Sequence, residues 1–151
     1  MNCITNIKQI KQLGTILCVG AHPDDETWIA GGLLAAAAAN RQRVVVITAT
    51  KGELGLASDD YALSDMADIR AGELDAALQI LGVGEHAWLG CNDGACAGEN
   101  CDQMAARLAA HVNHIKPDSL LTFGPEGLTG HADHTAVSQW CSQALQVSKL
   151  P

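Results

Sequence analysis

The sequence predicts an α/β fold built on a mainly parallel β-sheet. Four short apolar runs alternate along the chain with longer segments that have helical periodicity. Such alternation is typical of a parallel sheet whose strands are joined by right-handed helical crossovers. Because the chain has 151 residues and contains neither an internal repeat nor a linker, we expect a single domain over residues 1–151.

The periodicity also places the individual elements. Strands are predicted at about residues 15–20, 43–48, 87–89 and 119–123, and helices at about residues 27–40, 64–81, 102–115 and 133–147. The second helix has an apolar stripe and is expected to end at Gly82. Residues 1–14 carry Ile4, Ile7, Ile10 and Leu13 at helical spacing, which predicts either a short helix over an edge of the sheet or an extended lead-in.

Composition and charge exclude several classes of protein. Hydrophobic residues make up 48% of the chain, which argues against disorder, and no apolar stretch is long enough for a transmembrane helix. The net charge of −8 argues against a nucleic-acid partner, because phosphate binding needs a basic surface. The first residues lack the layout of a signal peptide, so we expect a cytoplasmic protein without membrane insertion.

The six cysteines are expected to be free thiols, because a secretory signal is lacking. Cys91, Cys96 and Cys101 are evenly spaced in a polar loop and suggest a second metal site. The C-x₂-C spacing of common structural zinc sites is missing there, however, and we favour thiols without a metal.

A cluster of acids and one histidine follows the first predicted strand. Residues 21–26 are Ala-His-Pro-Asp-Asp-Glu. They lie at the carboxyl end of a strand, which is where open α/β sheets bind their ligands. Three neighbouring carboxylates repel each other unless a cation or a proton relieves them. The nitrogen of His22 and an aspartate oxygen are a donor mix that suits zinc.

A second cluster follows the fourth predicted strand, where residues 130–134 are Gly-His-Ala-Asp-His. Together with His-Pro-Asp-Asp-Glu at residues 22–26, it resembles the LmbE-like (PIG-L) family of zinc-dependent de-N-acetylases. Leu-Gly-Cys-Asn-Asp-Gly at residues 89–94 and Thr-Phe-Gly-Pro-Glu-Gly-Leu-Thr-Gly at residues 122–130 resemble the family as well. The resemblance extends from about Thr15 to about Trp140 and implies a three-layer, Rossmann-like fold.

The resemblance implies that His22, Asp25 and His134 bind the metal. Two histidines and one carboxylate leave a coordination position for water, as in a catalytic zinc site, and Fe²⁺ would accept the same ligands. The implied enzyme is a zinc-dependent deacetylase, a hydrolase of carbon–nitrogen bonds other than peptide bonds. Its metal-bound water attacks the amide of an acetylated amino sugar or glycoconjugate of the N-acetylglucosamine type.

Two further residues receive catalytic roles from the resemblance. Asp24 is free to act as general base, because adjacent side chains diverge and Asp25 already holds the metal. His131 lies three residues before His134 at the start of a predicted helix, so both rings can face one pocket. A protonated His131 would stabilise the oxyanion there.

Arg70 and Asp133 each have two interpretations. Arg70 lies in an Arg-x-x-Glu-Leu setting in which the family's arginine contacts substrate, but a surface ion pair with Glu73 explains it equally well. Asp133 either orients a metal ligand or caps the last helix, and we favour capping. The loop at residues 50–55 either lies near the substrate, as in the family, or is an ordinary βα loop.

The sequence departs from the family pattern in three places. Ala132 replaces a common proline, and Cys91-Asn92 replaces an aromatic–proline pair. The chain also stops at Pro151, so we expect a fold shortened at the C-terminus whose uncovered edge or apolar surface favours a homo-oligomer. The alternative function is therefore a shortened, inactive domain that binds metal or sugar and pairs with another chain. A dinucleotide-binding domain is disfavoured, because the acids of the first turn would repel a pyrophosphate.

Overall fold

A computed structural model describes residues 6–55 and 62–148 of the chain. Within these residues, four strands form one sheet: β1 (Ile16–Gly20), β2 (Val44–Thr48), β3 (Glu85–Trp88) and β4 (Ser119–Leu121). All neighbouring strands are parallel, and their order across the sheet is β3-β2-β1-β4. The predicted α/β fold with a mainly parallel sheet is therefore confirmed. Ile4, which was expected to belong to the N-terminal helix, lies outside the described residues.

The helices of the described chain are α1 (Asp25–Ala39), α2 (Met66–Leu81), α3 (Cys101–Ile115), the single turn α4 (Gly127–Gly130) and α5 (Ala132–Val147). Short 3₁₀ helices form at Ile7–Leu13, Leu63–Asp65 and Cys96–Gly98. The lead-in is thus a 3₁₀ helix, with Asn6 as its N-cap. The first α-helix begins at Asp25, two residues earlier than predicted, so it already contains part of the acidic cluster.

Two hydrophobic cores lie on opposite faces of the sheet, because successive residues of a strand point to opposite sides. Leu17 and Val19 of β1 pack with helices α3 and α5, whereas Ile16 and Cys18 pack with α1 and α2. Both strands β1 and β2 are buried along their whole length, as their unbroken apolar runs predicted. The molecule therefore has three layers, with helices on both faces of the sheet.

The strand order creates a switch point between β1 and β4. From β1 the chain proceeds through β2 to β3 on one side, and it then returns to place β4 on the other side of β1. In open α/β sheets, the crevice outside the carboxyl ends of the strands at such a point is the usual ligand site. Both sequence clusters follow these two strands, so the topology brings them to one crevice.

None of the described helices is both long and apolar enough to cross a membrane.

The end of α2 follows the prediction: Gly82 adopts a left-handed conformation with φ 74° and caps the helix.

Two of the three tryptophans, Trp140 and Trp28, offer a test of the packing. Trp140 is 1% exposed in the core between α3 and α5, whereas Trp28 is 84% exposed on α1. We expect Trp140→Ala to lower the free energy of unfolding by about 3–5 kcal/mol, because it leaves a large cavity. Trp28→Ala should stay within about 0.5 kcal/mol of the wild type. Urea unfolding followed by circular dichroism measures both, and equal losses would contradict the assigned core.

Candidate metal centre

The turn after β1 is organised by the carboxylate of Asp25. Its Oδ2 atom accepts hydrogen bonds from the backbone N–H groups of Ala21 and His22, both at 2.8 Å. Asp24, one residue earlier, has φ 108° and precedes the first turn of α1. The side chain of Asp25 is therefore fixed against the end of the strand, while that of Asp24 points elsewhere, as expected for adjacent residues.

The turn after β4 places the second pair of histidines. His131 is the N-cap of α5, and its Nδ1 accepts the backbone N–H of Asp133 at 3.2 Å. His134 lies one turn further on and is buried, with its Nδ1 3.0 Å from the carbonyl oxygen of Gly127. The ring of Phe123 stacks on that of His134 with centroids 4.1 Å apart, which fixes the plane of the imidazole.

Three predicted ligands converge in the crevice although 112 positions separate the two histidines. The Nδ1 of His22 is 3.3 Å from the Nε2 of His134. Asp25 completes the group: its Oδ1 is 3.4 Å from the Nε2 of His134, and its Oδ2 is 3.7 Å from the Nδ1 of His22. The structure thus brings together the three residues that the sequence singled out.

The hydrogen bonds around the rings show which nitrogens remain free. The Nδ1 of His134 faces a carbonyl, so this nitrogen carries the hydrogen and its Nε2 presents a lone pair. The Nε2 of His22 lies 3.1 Å from Asp133 and 3.0 Å from Asp93, so it carries the hydrogen and leaves the lone pair on Nδ1. Two nitrogen lone pairs and a carboxylate therefore face each other. A cation between them would remove this repulsion, so the donor set fits a metal ion.

The structure contradicts the predicted role of Asp133 as a helix cap. His131 occupies the N-cap position, while the carboxylate of Asp133 is fully buried. Its oxygens accept the backbone N–H groups of Gly94 at 2.8 Å and Cys96 at 3.1 Å and also contact the Nε2 of His22. The orienting role, which the prediction ranked second, matches this arrangement. Capping was the wrong choice because the partners of Asp133 lie 37–39 positions away in sequence.

Asp93 is a contributor that the sequence reasoning missed. Its Oδ1 contacts His22, and its Oδ2 accepts the backbone N–H of Leu54 at 3.0 Å. In return, Glu53 accepts the N–H of Asp93 at 2.8 Å, so the loops after β2 and β3 are joined at the crevice. The signal was present in the Asp-Gly pair that ends the segment at residues 89–94. Because Asp93 follows a predicted strand, it lies at the edge of the sheet where ligands bind and could have been predicted as a site residue.

Arg70 makes the ion pair with Glu73 that one of its two interpretations required, whereas the other interpretation, a contact with substrate, stays a prediction. One Nη atom lies 3.3 Å from the carboxylate of Glu73 on the same helix. The other donates to Oδ2 of Asp24 at 2.8 Å and to the carbonyl oxygen of Pro23. Arg70 therefore reaches across from α2 and holds the acidic turn.

The crevice is an open cleft of about 410 Å³, with walls from the loops after all four strands. His22, Asp24 and Asp25 come from the first loop, and Gly52 and Asp93 from the second and third. The exposed His131 lies at the rim, with its ring centroid 4.9 Å from those of His22 and His134. The loop at residues 50–55 thus borders the cleft, which His131 lines as well.

The cysteines within the described residues are free thiols. Two clusters of side chains found there could hold a metal ion by their spacing, His22-His131-His134 and His22-Asp93-Asp133, and neither contains a cysteine. Burial is the main factor that raises the pKa of Cys18 and Cys141 to about 12. A hydrogen bond from Cys96 lowers the pKa of Cys91 from its ordinary value. Cys3 lies outside the described residues.

Fold and site together define an α/β protein with a histidine–carboxylate cluster that could hold a metal ion at the switch point of its sheet. The model of the PIG-L family, described as GlcNAc-PI de-N-acetylase, matches residues 17–145. The chain belongs to this family.

Two curated relatives and one solved structure show similarity over most of the chain. A 1D-myo-inositol 2-acetamido-2-deoxy-alpha-D-glucopyranoside deacetylase of Kineococcus radiotolerans is 33% identical over 94% of this chain and 47% of its own length. A second relative, the 1D-myo-inositol 2-acetamido-2-deoxy-alpha-D-glucopyranoside deacetylase 2 of Catenulispora acidiphila, is 36% identical over 89% of this chain and 52% of its own length. The chain therefore spans about half the length of the curated relatives it matches.

The N,N'-diacetylchitobiose deacetylase from Pyrococcus horikoshii superposes with a TM-score of 0.83 at 22% identity, covering 97% of this chain and 55% of that one. At this identity, the superposition supports the fold alone.

Asp133→Ala tests the buried carboxylate. Its loss leaves the buried N–H of Cys96 and the partly buried N–H of Gly94 without their acceptor, and a buried unpaired group costs about 1–3 kcal/mol. We expect a clear loss of unfolding free energy in urea with a chelator present. Asp75→Ala, at an exposed position of α2, is the matched control and should be neutral. Equal stability of both variants would contradict the hydrogen-bonding role of Asp133.

Proposed function

We propose that this chain forms the catalytic part of a metal-dependent deacetylase that removes the acetyl group from an N-acetylglucosamine-type substrate. The observation that carries the proposal is the convergence of His22, Asp25 and His134 at the cleft, with Asp24 beside them. Membership in the PIG-L family supports the same reaction. The relatives' names describe deacetylation of an amino sugar, which matches the acidic, open cleft found here.

The proposed metal ligands are the Nδ1 of His22, a carboxylate oxygen of Asp25 and the Nε2 of His134. Two imidazoles and one carboxylate suit zinc, and Fe²⁺ would accept the same donors. When bound, the metal supplies a Lewis acid that polarises the amide carbonyl and activates water near neutral pH. Asp133 and Asp93 fix the ring of His22 from behind, an arrangement that typically strengthens binding by such a histidine.

Asp24 is the proposed general base. Its carboxylate is half-exposed in the cleft and is not used by the network that holds Asp25. Arg70 holds the Oδ2 of Asp24 at 2.8 Å, which leaves Oδ1 to accept a proton from the attacking water. Asp24 can then return this proton to the leaving amine. Arg70 is also the proposed substrate-binding residue, because its guanidinium lines the cleft beside the base.

His131 is the proposed stabiliser of the oxyanion. Its Nδ1 accepts the N–H of Asp133, so in the neutral ring the Nε2 carries the hydrogen. The ring can therefore donate a hydrogen bond to the developing negative oxygen without first being protonated. This refines the expectation from the sequence, which required a protonated His131.

Three expectations about the whole protein stay predictions. The substrate is a small acetylated amino sugar or glycoconjugate, the location is cytoplasmic, and the chain forms a homo-oligomer. β3 and β4 are the edge strands of the described sheet, so an oligomer that extends the sheet would form at one of them.

His134→Ala should lose the bound divalent metal. It removes one of three proposed ligands, and the two that remain do not form a stable site. Elemental analysis after dialysis measures the metal content, with His114→Ala on the exposed surface of α3 as the control. We expect about one metal ion per chain in the wild type and the control. Full occupancy in His134→Ala would refute the assignment.

Asp24→Asn should keep the metal and lose activity. Asparagine preserves the shape but cannot accept the proton of the water, and general-base catalysis is typically worth about 10² to 10⁴ in rate. Acetate release from a panel of acetylated amino sugars measures turnover, and Asp75→Asn is the surface control. Near-normal turnover of Asp24→Asn would remove it from the role of base.

A further inference from the structure

A second cavity of about 200 Å³ lies beside the metal cleft, between the start of α1 and the middle of α2. We call it the α1/α2 pocket. Its apolar lining comes from Pro23, Trp28, Leu74 and Ala77. None of the three proposed metal ligands lines this pocket, and the mechanism described above places no part of the substrate in it.

The α1/α2 pocket and the metal cleft share a wall. Asp24 and Arg70 line both cavities, and the ion pair between them, at 2.8 Å, forms the boundary. A substrate whose acetamido group is placed for Asp24 would therefore have its neighbouring part at this boundary. A group attached to the amino sugar can pass over the ion pair and enter the second pocket.

Trp28 gives this pocket its chemical character. Its side chain is 84% exposed, although burying a tryptophan is strongly favourable, whereas Trp140 is almost completely buried. An exposed indole at the edge of a pocket offers a flat surface with a negative face. The C–H groups on the face of a sugar or cyclitol ring are weakly positive and apolar, so such a ring stacks well on an indole.

The polar groups at the same pocket suit hydroxyl groups. The Nε of Arg70 is enclosed on the side of Gly52, so a ligand in the pocket does not reach it. The carboxylate of Glu73 is 59% exposed at the lining and can accept. Asp24, Glu73 and the net charge of −8 disfavour an anionic group, which leaves a neutral polyhydroxylated ring.

We propose that the α1/α2 pocket binds the second ring of a two-ring substrate, a neutral pyranose or cyclitol attached to the N-acetylglucosamine unit, and that Trp28 is the stacking platform that selects it. This proposal rests on the proposed deacetylase function. A volume of 200 Å³ is below the usual 300–1,000 Å³ of a site for a whole drug-sized ligand, which suits one additional ring and no longer chain.

The kinetic test compares wild type, Trp28→Ala and Trp28→Phe on three substrates: N-acetylglucosamine, N,N'-diacetylchitobiose and N-acetylglucosaminyl-inositol. We expect Trp28→Ala to reduce kcat/KM for a two-ring substrate, relative to that for the single ring, by about tenfold. Trp28→Phe should restore most of the ratio, because it keeps an aromatic face. A larger effect on the disaccharide assigns a pyranose to the pocket, and a larger effect on the inositol glycoside assigns a cyclitol. An unchanged ratio for both overturns the proposal.

A binding measurement separates this proposal from the deacetylase function. Calorimetric titration of the Asp24→Asn chain with each two-ring compound, with and without Trp28→Ala, needs no turnover. Trp28-dependent binding to the Asp24→Asn chain, together with no acetate release by the wild type from any substrate, supports the pocket and refutes the deacetylase. Turnover by the wild type, together with binding that is independent of Trp28, supports the deacetylase and overturns the pocket.

The mass of the chain in solution must also be compared between wild type and Trp28→Ala over a dilution series. A dimer that Trp28→Ala dissociates would show that a second copy covers the indole, and this result would overturn the proposal.

Discussion

Parallel pairing of β1 with β4 is the constraint on which the site depends. The pairing sets Ile16 opposite Ser119 and Cys18 opposite Leu121, so the two strands end at the same edge of the sheet. His22 and His134 follow these strands in sequence and thereby come within 3.3 Å of each other. The buried apolar residues of β1 fix this register, because a slip by one residue would turn each side chain to the opposite face. Core packing therefore determines the geometry of the proposed metal ligands.

The buried carboxylate of Asp133 connects His22 with the loop after β3. It accepts N–H groups from Gly94 and Cys96 and simultaneously contacts His22. A buried charge is tolerated only when several hydrogen bonds compensate for its lost hydration. The same bonds that make Asp133 tolerable in the core therefore position the loop that carries Asp93 and orient His22, a proposed metal ligand.

Asp24 combines backbone strain with chemical exposure. A non-glycine residue at φ 108° costs about 1–3 kcal/mol and persists only where its surroundings enforce it. Here the carbonyl of Asp24 accepts the N–H groups of Thr27 and Trp28, and its own N–H contacts the buried Glu26 at 3.2 Å. Arg70 holds its carboxylate from α2. These contacts offset the strain and separate the proposed base from its neighbour Asp25.

The sequence by itself determined the alternation of strands and helices, because unbroken apolar runs such as that of β2 have no other stable location than a buried sheet. It also determined the candidate ligands His22, Asp25 and His134, since their residue types follow two such runs in a short and recognisable pattern. Only the tertiary structure decided the roles of Asp133 and Asp93, whose partners lie 37–111 positions away. Hydrogen bonds over such separations leave no local periodicity, so they become visible only when the strands have been paired.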